Sequence, residues 1–420
     1  MTAMNRMIVA DFHNNLTIAG TANTDYEGAF TGQAWSTGGS IKVPMPVNYI
    51  PADGATISSV PDIVENSITL TVSYRKNIAI GMTSKELTFD GDVKKTERFI
   101  APIGKDLANL VEYQLGEAVR LAAYNHTGTA GTAPNSYASG AAAQSKMNNL
   151  GIRNSDRYFG LAEKSYLSLI SAGTLQNSND VSMTSKISKD YMLNRLAAMT
   201  TYHSLYVPTQ VAGVGNANET PANGAVAAGT VKTTVTSGNS IVVTGLKASE
   251  TGVFNPGDKI TIAGVYKVNP ISLNTLPDLM QFVITDAAAV DSDSSGECTI
   301  TVSPTIISSS TSPYRNISNT SGIPATSAIS LATANTGAGS TTKAAYDINI
   351  AYVPEAILFG APPLVNPSDA TILSQITDKE TGISIRLLEY YEGAADRSVI
   401  RADIQFFIKI LGDRLVALLG

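Results

Sequence analysis

The chain has 420 residues, 43% of them apolar and only 15% charged, and carries a net charge of −6. That length predicts roughly two to four domains of ~100–200 residues, and the negative balance excludes a global basic field for gripping nucleic acid. Cys298 is the single cysteine, which excludes an intrachain disulfide and a cysteine-built zinc cluster.

With so little charge, the surface must be made of Ser, Thr, Asn and Gly. Such a surface suits packing against copies of itself, because few ions need desolvating. It suits a β-rich protein with uncharged loops equally well. Residues 1–40 are rich in Gly, Thr, Asn and Ala, hold the single tryptophan, Trp35, and show no helical period. They read as an arm that orders only against something else, or as a plain disordered tail.

Residues 41–100 read as long extended segments. Ile68, Leu70, Val72 and Tyr74 alternate with Thr69, Thr71 and Ser73, which gives one apolar and one polar face. Ile78, Ile80 and Met82 continue the pattern, and Leu87 and Phe89 resume it. The same stretch gathers Arg75, Lys76, Lys85, Glu86, Asp90, Asp92, Lys94, Lys95, Glu97 and Arg98. Mixed signs on an extended hairpin suit a neighbouring subunit, or protect a solvated edge strand.

A helix is predicted over 102–124, with Pro102 at its start and Ile103, Leu107, Leu110, Val111, Leu115, Ala118, Val119 and Ala122 at helical spacing. At ~1.5 Å per residue it would be about 34 Å long. Between 152 and 210 short strands and helices alternate. A strand over 156–160 leads into a helix over 163–171, and a second helix is predicted from Ser188 to Met199. From about Gly213 to Ser340 charge nearly vanishes. A hairpin is predicted with Ser237-Gly238-Asn239 as its turn, and strands at 259–263, 281–285 and 299–302. Residues 226–345 thus read as a small all-β domain placed inside an α+β domain of residues 101–225 and 346–420. The chain ends in strands: Ile383, Ile385 and Leu387 alternate with polar residues, as do Ile400, Ala402, Ile404, Phe406, Ile408 and Ile410.

Motifs for chemistry are weak. His13, His126 and His203 have no partner at metal-ligand spacing. No nucleophile elbow or phosphate loop is present. Asp291-Ser-Asp293-Ser-Ser-Gly296 imitates a calcium loop, but Val302 stands where the bidentate Glu is needed, so a turn is the better reading. Neither a signal peptide nor a run of about 18 apolar residues is visible. No cofactor, metal or catalytic residue is expected.

The order of parts is more informative than any one motif. An arm, a charged extended loop, a long helix, an α+β domain and terminal strands resemble tailed-bacteriophage major capsid proteins of the Hong Kong 97 type. The interrupting β domain is similar to that of the coat proteins of Salmonella short-tailed phages. Gly257-Asp258-Lys259-Ile260 with Ala263-Gly264-Val265 resembles the entry of the inserted domain. Asn349–Leu364 resembles the return to the main domain, and Gly382–Arg386 with Arg401-Ala402-Asp403 resembles the closing strand pair. The resemblance implies an α+β, Hong Kong 97-like subunit with an inserted domain. It implies pentamers and hexamers in an icosahedral shell, a scaffolding protein, a portal protein, and enclosed double-stranded DNA bound without sequence preference, with no membrane. The subunit would be made in the host cytoplasm and end in the virion. Trp35 and the charged residues from Arg75 to Arg98 are then expected at subunit interfaces. An encapsulin-like compartment shell and a surface or tail-fibre adhesin are the alternatives.

Overall fold

The computed structural model describes residues 2–26, 39–47, 49, 65–90, 93–171, 191, 193, 195–216, 225–333, 345–365, 372–377 and 382–420. The chain divides into two compact units. One comprises Met1–Pro46, Val64–Leu115 and Ile357–Ile410, and the other Val47–Ile63, Gly116–Ala356 and Leu411–Gly420.

In chain order the first elements are helix α1 (Thr2–Asn14), strands β1 (Ser40–Pro44), β2 (Ser67–Thr71) and β3 (Tyr74–Thr83), and helices α2 (Ser84–Asp90) and α3 (Val93–Ala122). Then come β4 (His126–Gly128), α4 (Tyr137–Asn149), β5 (Tyr158–Leu161), α5 (Glu163–Ile170), β6 (Arg195–Leu196), β7 (Met199–His203) and β8 (Thr209–Val211). Six strands follow: β9 (Ala225–Val231), β10 (Ser237–Thr244), β11 (Lys259–Val268), β12 (Thr275–Ile284), β13 (Cys298–Ile307) and β14 (Ala328–Ala332). The last are β15 (Ala345–Tyr352), β16 (Ile357–Gly360), β17 (Ile372–Thr377), β18 (Ser384–Glu392), β19 (Arg397–Ile410) and β20 (Leu415–Leu419).

In the first unit the long alternation over 397–410 makes β19 the organising strand. It pairs antiparallel with β18, with β3 over ten unbroken positions from Arg397↔Thr83 to Phe406↔Tyr74, and with β16 through its last residues. β17 extends the sheet beyond β18, and β1 and β2 form a separate hairpin. Side chains of β3 alternate strictly between half-buried and exposed, as one covered face requires. Ile383, Ile385, Leu387, Ile404 and Phe406 are buried, as are Ile103, Leu107, Val111 and Leu115 on α3.

In the second unit the six strands β9–β14 close into a barrel in the order β10-β13-β12-β11-β14-β9. Val226, Ile241, Val243, Ile260, Ile262, Phe282, Ile300 and Leu331 fill it. Closure removes the sheet edges that an isolated β insertion would expose. The other sheet of this unit runs β4-β20-β15-β5-β7-β6, with β8 pairing β15. The mixed α+β architecture read from the sequence is what the chain adopts.

Several local expectations are corrected. Residues 2–14 are not an unstructured arm: Ile8 and Phe12, four apart and buried, give α1 one apolar face. The long helix starts at Val93 rather than at Pro102. The preceding Lys-Lys-Thr-Glu-Arg run favours helix, and Pro102 deletes one hydrogen bond from the ladder without ending it. Residues 84–90 are helical rather than extended. Ser188–Met199 is not a helix where described. Ala197 and Ala198 take positive φ and turn β6 into β7, with Leu196 paired to Met199. A two-residue turn puts i and i+3 on one face, so a tight hairpin imitates helical spacing. Ser237-Gly238-Asn239 is no hairpin turn either. It lies inside β10, where Gly238 (φ +101°) marks a register break, as glycine in a strand often does.

Candidate functional site

The sequence nominates the charged stretch Arg75–Arg98, in the first unit. Arg75 is exposed and Lys76 half-buried on β3, and Lys85 and Glu86 are exposed on α2. Asp90 closes α2, while Lys94, Lys95, Glu97 and Arg98 lie in the first turns of α3. Trp35 and Asp92 fall outside the described residues.

Glu86 has a local task. Its Oε2 accepts from the Thr83 N–H and Oγ1, both at 2.9 Å, and the Glu86 N–H donates back to Thr83 Oγ1 at 3.3 Å. This is a reciprocal capping box spelled Thr-Ser-Lys-Glu, a signal the sequence reading passed over. Ser84 Oγ donates to Asp396 Oδ1 at 2.5 Å, and the Tyr391 hydroxyl donates to the same oxygen at 2.6 Å. The β18–β19 turn therefore fixes where α2 begins.

The closing strand pair holds an ionic triad. Asp403 is fully buried. Its Oδ2 accepts from Arg386 Nη2 and its Oδ1 from Arg401 Nε, each at 2.6 Å. Arg386 stands directly across from Asp403 in the ladder, so register alone brings the two together. Arg386 Nη1 also donates to the Val365 carbonyl, and its buried Nε has no partner among the described residues.

In the second unit, Gly257–Ile260 opens β11 where the barrel meets the end of α3. Asp258 is fully buried. Its Oδ1 accepts from Gln210 Nε2 at 2.7 Å, and its Oδ2 from the N–H groups of Asn255 at 2.7 Å and Gly213 at 2.9 Å. Burial pushes this carboxyl up to about 6 against the pull of those bonds. Lys259, also fully buried, donates from Nζ to the Arg120 carbonyl at 2.7 Å. That carbonyl is in the last turn of α3, where helical partners run out and the dipole favours a cation. Arg120 in turn donates to Gln210 Oε1 at 2.9 Å and to the Pro256 carbonyl. Gly257, at φ +89°, takes a conformation that favours glycine, and a Cβ there would stand 2.6 Å from Arg120 Nη1 and displace it. Ile260 points into the barrel core, and Gly264 (φ +76°) has open space where a Cβ would be, so its demand is conformational.

A second set of contacts lies along the same strands. Lys267 Nζ donates to Asn125 Oδ1 at 2.5 Å and sits 5.3 Å from the Tyr124 ring centroid. The Gln281 amide pairs with the His126 backbone as a strand residue would, donating to its carbonyl at 2.9 Å and accepting from its N–H at 2.8 Å. Lys146 Nζ donates to both acceptors, each at 2.6 Å. Burial lowers Lys259 and Lys267 to about 7 and Lys146 to about 8, and it lowers His126 to about 3 with help from the Lys146 charge. The sequence singled out Asp258 and Lys259 but not Lys267, Gln281, Lys146 or Arg120. On a strand, as Lys267 and Gln281 are, or on a helix, as Arg120 and Lys146 are, these look like ordinary solvated residues. Lys267 and Gln281 have one mark, being charged or polar in a stretch where charge is scarce.

Each buried group here spends its donors or acceptors on another element, so the arrangement fastens. Among the described residues no cluster of three or more His, Cys, Asp or Glu could hold a metal, and no helix is long and apolar enough to cross a membrane. Asp293 accepts from the Ser295 and Glu297 N–H groups at 2.8 and 2.9 Å, so Asp291–Gly296 is a turn.

Nothing among the curated proteins matches this chain. Among solved structures it is similar to one from Mycobacterium phage Che8 (TM-score 0.46, 11% identity, 96% of this chain and 90% of that one). It is also similar to the mature capsid of bacteriophage PhiM1 (TM-score 0.43, 10% identity, 96% and 86%). The CUS-3 coat protein I-domain matches 26% of this chain over 96% of its own length (TM-score 0.17, 20% identity). The family described as "P22 coat protein - gene protein 5" matches residues 1–416. That match takes in the barrel, its seat and the closing strand pair β18–β19, and it agrees with the resemblance read from the motifs. The chain therefore belongs to the P22 coat protein family, and it is a major capsid subunit of an icosahedral phage head.

Proposed function

We propose that copies of this chain assemble as pentamers and hexamers, in a Hong Kong 97-like arrangement, around a scaffolding protein and a portal. The shell then encloses double-stranded DNA without sequence-specific contacts and performs no catalytic step. The subunit is made in the bacterial cytoplasm and needs no membrane. The family match over residues 1–416 supports this reading most directly. The net charge of −6 fits a lining from which packed DNA moves freely. Many weak copies of one contact suffice for a shell, and weak contacts let errors anneal.

Residues 62–98 are the proposed neighbour-contact segment, with Arg75, Lys76 and Lys85 as its best-placed charges, and Trp35 belongs to contacts across capsomers. The inserted domain, 226–345, serves subunit folding or bridges capsomers. The test is expression with and without a scaffolding protein, followed by sedimentation. Fast-sedimenting closed shells are expected when scaffold is present. Persistent monomers would count against the reading.

A further inference from the structure

Glu112 is fully buried on α3, in the first unit, and its carboxylate faces no cation among its hydrogen-bond partners. Oε1 accepts from the N–H groups of Thr17 at 2.7 Å and Ala19 at 3.0 Å. Oε2 accepts from the Ile18 N–H at 3.2 Å and the Thr17 hydroxyl at 3.1 Å. Three consecutive backbone N–H groups converging on one anion form a nest, here closed by a side chain from a distant element. Burial raises the carboxyl against the pull of those four bonds.

The same helix face receives the rest of the N-terminal segment. Ala108 and Gly104 stand one and two turns before Glu112. A Cβ at Gly104 would lie 2.3 Å from the Ile8 carbonyl oxygen, so the backbone of α1 rests directly on α3. Past the nest, the Asn23 N–H donates to the Ile357 carbonyl at 2.9 Å, and the Phe359 N–H donates to the Asn23 carbonyl at 3.0 Å. Residues 2–26 are thus held at three places: apolar contacts of Ile8 and Phe12, the nest, and a two-bond bridge to β16.

We propose that residues 2–26 are a releasable strap and that Glu112 is the positioning residue that latches it. No residue of 2–26 takes part in the β17–β18–β19–β3 ladders, so the strap's departure breaks none of their pairing. The nest differs from an apolar contact in one respect. When it opens, a carboxylate and three N–H groups regain water, which offsets part of the cost of uncovering Ile18. The latch can therefore part and reseat while α3 and the sheet stay folded.

Hydrogen exchange on the full chain tests this with Glu112→Gln, which keeps the shape but sets an amide N–H₂ against the N–H groups of the strap. The amides of residues 8–21 are expected to exchange at least about tenfold faster, with α3 beyond Ile103 and the β18–β19 ladder unchanged. Thr17→Val, which removes the hydroxyl that donates to Oε2 and keeps the three N–H groups, should give a smaller rise in the same residues. Unchanged strap exchange in Glu112→Gln would overturn the proposal, because apolar contacts would then suffice. A comparable rise across β18–β19, or a chain that no longer folds, would also overturn it, since Glu112 would then support the whole unit.

Discussion

Two buried ionic clusters solve the same problem in opposite ways. In the closing strand pair, Asp403 meets two arginines, so charge is met by charge. At the seat of the barrel, Asp258 meets an amide and backbone N–H groups, while Lys259 and Lys267 meet carbonyl oxygens. There, each charge is met by dipoles. The first arrangement is costly to interrupt, because removing Asp403 leaves Arg386 buried and uncompensated. The second leaves each group near its neutralisation point, with Asp258 at about 6 and the two lysines at about 7. One cluster is a fixed rivet in a ladder. The other is an orienting contact whose strength follows pH.

The largest expected effect breaks the rivet. Asp403→Ala should destabilise the chain by about 3–5 kcal/mol, read as a large drop in Tm; a loss below about 1 kcal/mol would mean that solvent already screens the arginines. Next comes Gly257→Ala, which adds left-handed backbone strain to a clash with Arg120 Nη1. It should cost about 2 kcal/mol, with faster amide exchange in β11 and in the last turn of α3.

Lys259→Met should change stability at pH 7 by only about 1 kcal/mol in either direction, since a lost hydrogen bond offsets a relieved charge burial. Its sharper signature is in the pH profile. Lysines lowered to about 7 and 8 in the folded chain keep their ordinary value of about 10.4 when unfolded. Between these values the unfolded state binds more protons, so stability rises with pH from about 7 toward 10. Urea titrations at pH 7 and 9 should show this rise in the wild type and a reduced one in Lys259→Met; equal slopes would separate the seat from the titration. The smallest effect is expected at the half-exposed Lys232–Glu297 pair on the barrel, where Lys232→Ala should cost under about 1 kcal/mol.

What the sequence disclosed follows the strength of its periodic signals. The alternation from Ile400 to Ile410 and the apolar stripe from Ile103 to Ala122 were readable because apolar residues repeat at one spacing over many residues. The inserted all-β texture was readable because charge disappears there. Local geometry was hidden wherever two conformations share a spacing, as at Leu196 and Met199, or where neighbouring Gly and Thr masked a short amphipathic helix, as at Ile8 and Phe12. Asp258, Lys259 and Lys267 show the deeper limit. A charge on a strand reads as solvent-facing, and only the closed barrel reveals that the end of a helix takes the place of solvent.

A cryo-electron-microscopy reconstruction of particles formed by this chain with a scaffolding protein tests the coat-subunit account most directly. The account predicts a closed icosahedral lattice of identical subunits, with Arg75, Lys76 and Lys85 against a neighbouring copy. Particles in which those three side chains face solvent in every subunit, or a chain that forms no closed shell, would contradict it.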